Sequence, residues 1–172
     1  MLVADYIVHY LIEKNSRLAF GYPGGMVTYL MDSFWANDDA DAHAMYHEQA
    51  AAFAACGYAQ ASGNTGVAYA TSGPGATNLI TGICHAYFES VPALFITGQV
   101  NTREAKGERH MRQKGFQETD VLTMVSGVTK YSAYVGSGHE IKYHLDKAFH
   151  FANDGRPGPV LLDIPIDVQR TE

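Results

Sequence analysis

Gly66-Val67-Ala68-Tyr69-Ala70, followed at once by Thr71-Ser72-Gly73-Pro74-Gly75-Ala76-Thr77-Asn78, decides the architecture. The first five residues read as a strand. The next five form a glycine-rich bend. Pro74 suits the opening of a helix, where its missing N–H is one of the donors a helix leaves free in any case. The pattern predicts a helix from there to about residue 88. A strand that turns tightly into a helix is the start of a β–α unit, and the rest of the chain repeats the unit.

Working outward, residues 93–97 form the next strand, entered through Pro92, which a strand tolerates at its start. Upstream, Val3, Ile7, Tyr10 and Leu11 mark a helical stripe over 3–14. A short strand at 17–20 runs into Gly21-Tyr22-Pro23-Gly24-Gly25, and a helix follows at 27–35. Residues 42–46 read as a strand and 47–62 as an alanine-rich helix. Downstream, 101–115 reads as a polar loop and 118–125 as a helix. A strand at 130–135, a helix at 139–152 and a strand at 160–164 complete the series. Such alternation predicts one α/β domain over residues 1–172, a three-layer α/β/α arrangement. Its sheet should be mostly parallel, with about six strands and helices on both faces. Ligands on such sheets bind beyond the carboxyl ends of the strands. Three segments fall there: residues 21–25, His47-Glu48, and residues 71–75.

Composition narrows the function classes. Of the 172 residues, 47% are hydrophobic and only 17% are charged, against about 25% charged in an average domain. That excludes a disordered chain and points to surface covered by a partner. The net charge of −6 argues against a nucleic-acid partner. No apolar run approaches the roughly 18 residues of a membrane span. The early acid Asp5 and the lack of a basic stretch do not fit a secretory signal. Cys56 and Cys84 read as reduced, buried small residues of a cytoplasmic protein.

Several motifs invite chemistry and have plainer readings. Residues 73–78 resemble a dinucleotide fingerprint, but Asn78 stands where the last glycine belongs, and no Gly-Lys-Ser/Thr follows for a P-loop. A tight strand-to-helix turn explains them equally well. His47-Glu48-Gln49-Ala50-Ala51 lacks the second histidine of a zinc protease, and no metal ligands are expected in this chain. Glu48 in a first helical turn is favoured by the helix dipole whatever else it does. The small side chains that follow, from Ala50 to Ala61, give a face suited either to the core or to a subunit interface. No Gly-x-Ser-x-Gly elbow occurs. Arg103, Lys106, Arg109, Arg112 and Lys114 crowd into one loop, which reads as a solvated segment or as a basic lid over an anionic substrate.

Taken in order, Gly21-Tyr22-Pro23-Gly24-Gly25, His47-Glu48-Gln49-Ala50-Ala51, Ala70-Thr71-Ser72-Gly73-Pro74-Gly75-Ala76-Thr77-Asn78, Thr97-Gly98-Gln99-Val100, Phe116-Gln117-Glu118-Thr119-Asp120, Val128-Thr129-Lys130 and Arg156-Pro157-Gly158-Pro159-Val160 carry a resemblance. The chain resembles the N-terminal, pyrimidine-binding domain of the thiamine-diphosphate enzymes, closest to acetolactate synthase, over nearly its whole length. The resemblance implies the aminopyrimidine-binding half of a 2-keto acid decarboxylase or carboligase. It makes Glu48 the glutamate that hydrogen-bonds N1′ of the cofactor and activates it. It places Tyr22, Pro23, Gly24, Thr71, Pro74 and Asn78 around the cofactor. It sets Phe116 and Gln117 toward the substrate, Gln117 polarising a carbonyl oxygen, and gives Lys130 a structural or substrate-orienting role.

The resemblance further implies a homodimer or tetramer with the cofactor between subunits. It implies Mg²⁺ held with the diphosphate by a separate domain of the same or another chain, through a Gly-Asp-Gly that these residues lack. The middle domain that binds FAD in acetolactate synthases is likewise not among them. The expectation is half an active site, from an excised domain or a natural split subunit, inactive alone. The other reading kept open is a non-catalytic binding or dimerisation module of the same fold. Two departures bear on the substrate: Tyr46 stands before His47-Glu48 where acetolactate synthases usually carry arginine, and the basic loop is longer than theirs.

Overall fold

The computed structural model describes residues 1–172. Along the chain run α1 (Val3–Glu13), β1 (Leu18–Gly21), α2 (Thr28–Trp35), β2 (Asp41–Ala44), α3 (Glu48–Ser62), β3 (Gly66–Ala70), α4 (Pro74–Asn78), α5 (Ile80–Phe88), β4 (Ala93–Gln99), α6 (Val121–Val125), β5 (Tyr131–Tyr134), α7 (Ile141–Asn153), β6 (Pro159–Pro165) and α8 (Ile166–Gln169). The six strands form one sheet in the order β2-β1-β3-β4-β6-β5. Every neighbouring pair is parallel, so the sheet is wholly rather than mostly parallel. β3, β4 and β6 are buried along their whole length, as strands covered on both faces must be.

Side-chain alternation divides the core in two. Val67 and Tyr69 of β3 join Leu94, Ile96, Val160 and Leu162 in a cluster packed by α1, α2 and α7. Ala68 and Ala70 face the other way, with Phe95 and Leu161, toward α3, α5 and α6. The alanine-rich α3 is shaped by close approach on that second side. A Cβ at Gly82 of α5 would stand 2.2 Å from Ala52 Cβ, and one at Gly66 would stand 2.1 Å from the Ala55 carbonyl oxygen. Its inner small residues are therefore core. Its outer stripe, Ala50, Phe53, Gly57 and Ala61, is exposed.

Several boundaries differ from the sequence reading for local reasons. The helix expected over 74–88 is two helices, divided at Leu79. His47 is not helical but caps α3, its Nδ1 accepting a hydrogen bond from the Gln49 N–H. The helix expected from 118 starts at Val121, because Asp120 takes the capping position and accepts from the Thr123 N–H. The four-residue α8 is not expected from the sequence, because it follows directly on Pro165 at the end of β6 and is too short to show a period. Cys84 is only half-buried, whereas Cys56 is buried as expected, and both are free thiols. No helix is long and apolar enough to cross a membrane.

The order of strands sets the position of the site. From β1 the chain moves outward to β2, then returns to place β3 on the other side of β1. The segments leaving the carboxyl ends of β1 and β3 therefore meet at the topological switch point, whose crevice is the place where open parallel sheets bind ligands. The two glycine-rich bends are those segments.

Candidate active site

Glu48 opens α3 just past the carboxyl end of β2 and is 8% exposed. Its Oε2 accepts a hydrogen bond of 2.9 Å from Asn78 Nδ2 at the end of α4. Its Oε1 takes no hydrogen bond from the chain. A Cβ on Gly75 would stand 3.2 Å from that oxygen and 2.8 Å from Thr71 Cγ2, so only glycine lets the carboxylate and Thr71 pack this close to the second bend. The break between α4 and α5 gives Asn78 its position at a helix end.

Thr71 joins the two bends. Its Oγ1 accepts from the Met26 N–H at 3.1 Å. Gly24 lies directly against its side chain. The first bend is held from the other side by Gln169, whose Nε2 donates to the Met26 carbonyl at 2.8 Å. Gly73 adopts φ +65° and ψ −124° at the start of α4, a conformation open only to glycine at low strain. Its bare α-carbon lets Gln117 pack close, since a Cβ there would lie 2.7 Å from Gln117 Cβ.

The fold thus gathers most of the residues singled out in the sequence. Asn78 bonds Glu48, Gly75 lies against both Glu48 and Thr71, Gln117 packs on Gly73 of the same bend, and Gly24 lies behind Thr71. Tyr22, Pro23 and Pro74 lie exposed on the same bends. Phe116 is 74% exposed and carries its ring outward beside Gln117. Lys130 is not part of this group. It precedes β5 at the amino end of the sheet, where its backbone N–H donates to Pro159 and its Nζ to the Asp154 carbonyl. Parallel strands put residue 130 and the two bends at opposite ends of the sheet, so within one chain Lys130 stands apart from Gln117, and its bonds to Asp154 and Pro159 tie down the turn before β6.

The basic loop is built around Glu118. Its carboxylate accepts from the backbone N–H of Lys106 at 2.7 Å, Lys114 at 2.8 Å and Gly115 at 3.3 Å. Burial pushes that carboxyl up, but the three N–H groups outweigh it and hold the group below its usual range. None of the five cations in the loop pairs with a carboxylate; the chain's ion pairs are His43–Asp41 and Lys142–Asp146. Thr97, Gln99 and Asp163 form a buried polar group beneath Thr119 for which the sequence reading had no role. Three polar residues in two otherwise apolar strands were the available signal. No three His, Cys, Asp or Glu side chains converge to hold a metal ion.

The sequence matches the family model described as "Thiamine pyrophosphate enzyme, N-terminal TPP binding domain" over residues 1–124. It is 46% identical to the acetolactate synthase isozyme 2 large subunit of Escherichia coli over 167 residues, 96% of this chain and 29% of that protein. It is 45% identical to the acetolactate synthase large subunit of Corynebacterium glutamicum, over 100% of this chain and 26% of that protein. The chloroplastic acetolactate synthase 1 of Zea mays is 41% identical over 97% of this chain and 25% of its own length. The chain therefore spans between a quarter and three tenths of these curated relatives. With the glycine bends, Glu48 and the switch-point crevice in one place, the chain belongs to the thiamine pyrophosphate enzyme family, as an N-terminal TPP-binding domain.

Proposed function

We propose that this chain is the aminopyrimidine-binding half of a 2-keto acid decarboxylase or carboligase of the acetolactate synthase type. The observation that carries the reading is Glu48: buried at the crevice, one carboxylate oxygen fixed by Asn78, the other uncommitted. When bound, thiamine diphosphate supplies the nucleophilic carbon and electron sink that 2-keto acid decarboxylation needs. The residues fit its pyrimidine ring. Gly75 adds no side chain to crowd Glu48 Oε1, and Thr71 with Gly24 against it ties the two bends together beside the carboxylate.

Glu48 Oε1 would hold the ring nitrogen N1′ of the bound cofactor and share a proton with it. Asn78 keeps the carboxyl group aimed at the crevice, and burial excludes competing water. Tyr22, Pro23, Gly24 and Pro74 bound the ring from the two bends. Gln117 donates its side-chain amide to the substrate carbonyl oxygen, beside Phe116. A diphosphate-binding domain of the same or another chain holds the cofactor's anionic end with Mg²⁺, and a homodimer or tetramer brings the halves together. FAD belongs to a middle domain of the full enzyme.

The test is Glu48→Gln in the full-length enzyme, with carbon dioxide release from pyruvate as the readout. Glutamine still offers Asn78 an oxygen, so the fold survives while proton sharing is lost. Turnover should fall by about 10²-fold or more. Unchanged turnover would overturn the assignment.

A further inference from the structure

Asp163 sits near the carboxyl end of β6 and is 3% exposed, with no cation paired to it. A buried carboxylate of this kind persists only where hydrogen bonds satisfy it. Thr97 Oγ1 donates to Oδ1 at 2.7 Å, and Gln99 Nε2 donates to Oδ2 at 3.0 Å. The same Gln99 Nε2 donates to the Thr119 carbonyl at 3.0 Å, while Gln99 Oε1 accepts from the Val100 N–H at 3.0 Å. Every polar atom of the Gln99 amide is thereby committed, so its orientation is fixed. Thr119 in turn directs its hydroxyl at the Gln117 carbonyl, at 3.4 Å. Gln117 holds φ +57°, a left-handed conformation that an ordinary side chain disfavours. The surroundings must therefore impose it.

We propose that Asp163 is a positioning residue for the Gln117 turn: acting through Gln99 and Thr119, it holds Gln117 against Gly73 and so sets where the substrate-facing amide points. The consequence for catalysis rests on the proposed function; the tether itself does not. Asp163 lies on the wall of a cleft of about 250 Å³ that is also lined by Gln99, Lys106, Glu118, Thr119 and Tyr134. The charged and titratable groups facing it are few. Lys106 is the one cation on this cleft, Asp120 caps α6, Glu118 is committed to the loop, and the Tyr134 hydroxyl is held protonated by burial and by Asp163. Burial pushes the Asp163 carboxyl up to about 7 despite the hydrogen bonds from Thr97 and Gln99.

The network tolerates the proton. A protonated Oδ1 donates to the Thr97 hydroxyl, which can reverse its role, while Oδ2 continues to accept from Gln99. Asn at 163 copies that arrangement, with its NH₂ toward Thr97 and its oxygen toward Gln99. Leu at 99 fits a buried strand but severs the tether.

The test is amide hydrogen exchange and NMR on this chain. Gln99→Leu should speed exchange at residues 117–119 about tenfold while Phe95 and Leu161 in the sheet keep theirs. Asp163→Asn should leave residues 117–119 within about twofold of wild type. The Thr119 amide shift should titrate near pH 7 in the wild type and not in Asp163→Asn. In the full enzyme, Gln99→Leu should lower kcat without weakening thiamine diphosphate binding. Unchanged exchange at 117–119 in Gln99→Leu, or failure of Asp163→Asn to preserve the turn, overturns the proposal. Neither result touches the Glu48 assignment, which is read by turnover of Glu48→Gln.

Discussion

Thr71 occupies the space in which a side chain on Gly24 would begin: a Cβ at Gly24 would stand 2.4 Å from Thr71 Cβ. The two glycine-rich bends are thereby locked to each other by sterics, and the Met26 N–H to Thr71 Oγ1 bond adds direction. Gly24→Ala should push the bends apart and destabilise the chain by about 1–3 kcal/mol, the usual penalty of overpacking. Urea unfolding reads this as a lower midpoint at unchanged slope. A wild-type midpoint would show that the bends are not locked in this way.

Glu118 holds the basic loop by accepting three backbone N–H groups. Glu118→Ala should leave those donors unsatisfied and raise hydrogen exchange over residues 106–115, with little change in the strands. Because the folded-state carboxyl lies below its ordinary value of 4.5, its contribution is present above that value. It is lost as pH falls through the lower folded value. Acidification below pH 4.5 should therefore progressively loosen the loop in the wild type and have no further effect there in Glu118→Ala.

The buried Asp163 gives the opposite sign. Its folded pKa of about 7 lies above its ordinary 3.8, so the folded state binds the proton more tightly than the unfolded state does. Between those two values stability should fall as pH rises, and it should level off above them. Asp163→Asn should abolish that slope and gain stability relative to wild type at pH 8. Urea midpoints measured at pH 5 and pH 8 in both proteins check this.

The outer stripe of α3 presents Ala50, Phe53 and Gly57 to solvent, and a Cβ at Gly57 would meet nothing within 4 Å. If the subunit contact of the proposed function uses this stripe, small and apolar side chains are what it would bury. Gly57→Glu should then leave the fold intact, at a helix-propensity gain, while abolishing self-association through charge repulsion and bulk. Sedimentation velocity at high concentration would show a dimer for the wild type and a monomer for the variant. A monomeric wild type would remove the stripe as the contact.

The alternation of strands and helices was legible because each element carries its own period. β3, β4 and β6 read as short apolar runs between breakers, and α1 as a stripe at helical spacing. The outermost boundaries were less so. His47 and Asp120 leave the helices they were assigned to because their side chains accept from the first turn, a competition that composition does not reveal. The motif Val128-Thr129-Lys130 left the position of Lys130 open, and the direction of β5 carries it to the end of the sheet away from the two bends.

The sequence by itself determined the unit that repeats and the bends at residues 21–25 and 71–75, because local propensity and glycine placement act over a few neighbours; Glu48 became a candidate through the family resemblance its motif carries. Only the tertiary structure decided that Asn78 reaches Glu48 across 30 positions, that Thr71 seats itself in the gap left by Gly24, and that Asp163 underlies the Gln117 turn. Those contacts depend on which strands become neighbours. Neighbours in a parallel sheet are chosen by how both faces of every strand are buried at once, a condition no single stretch of chain can express.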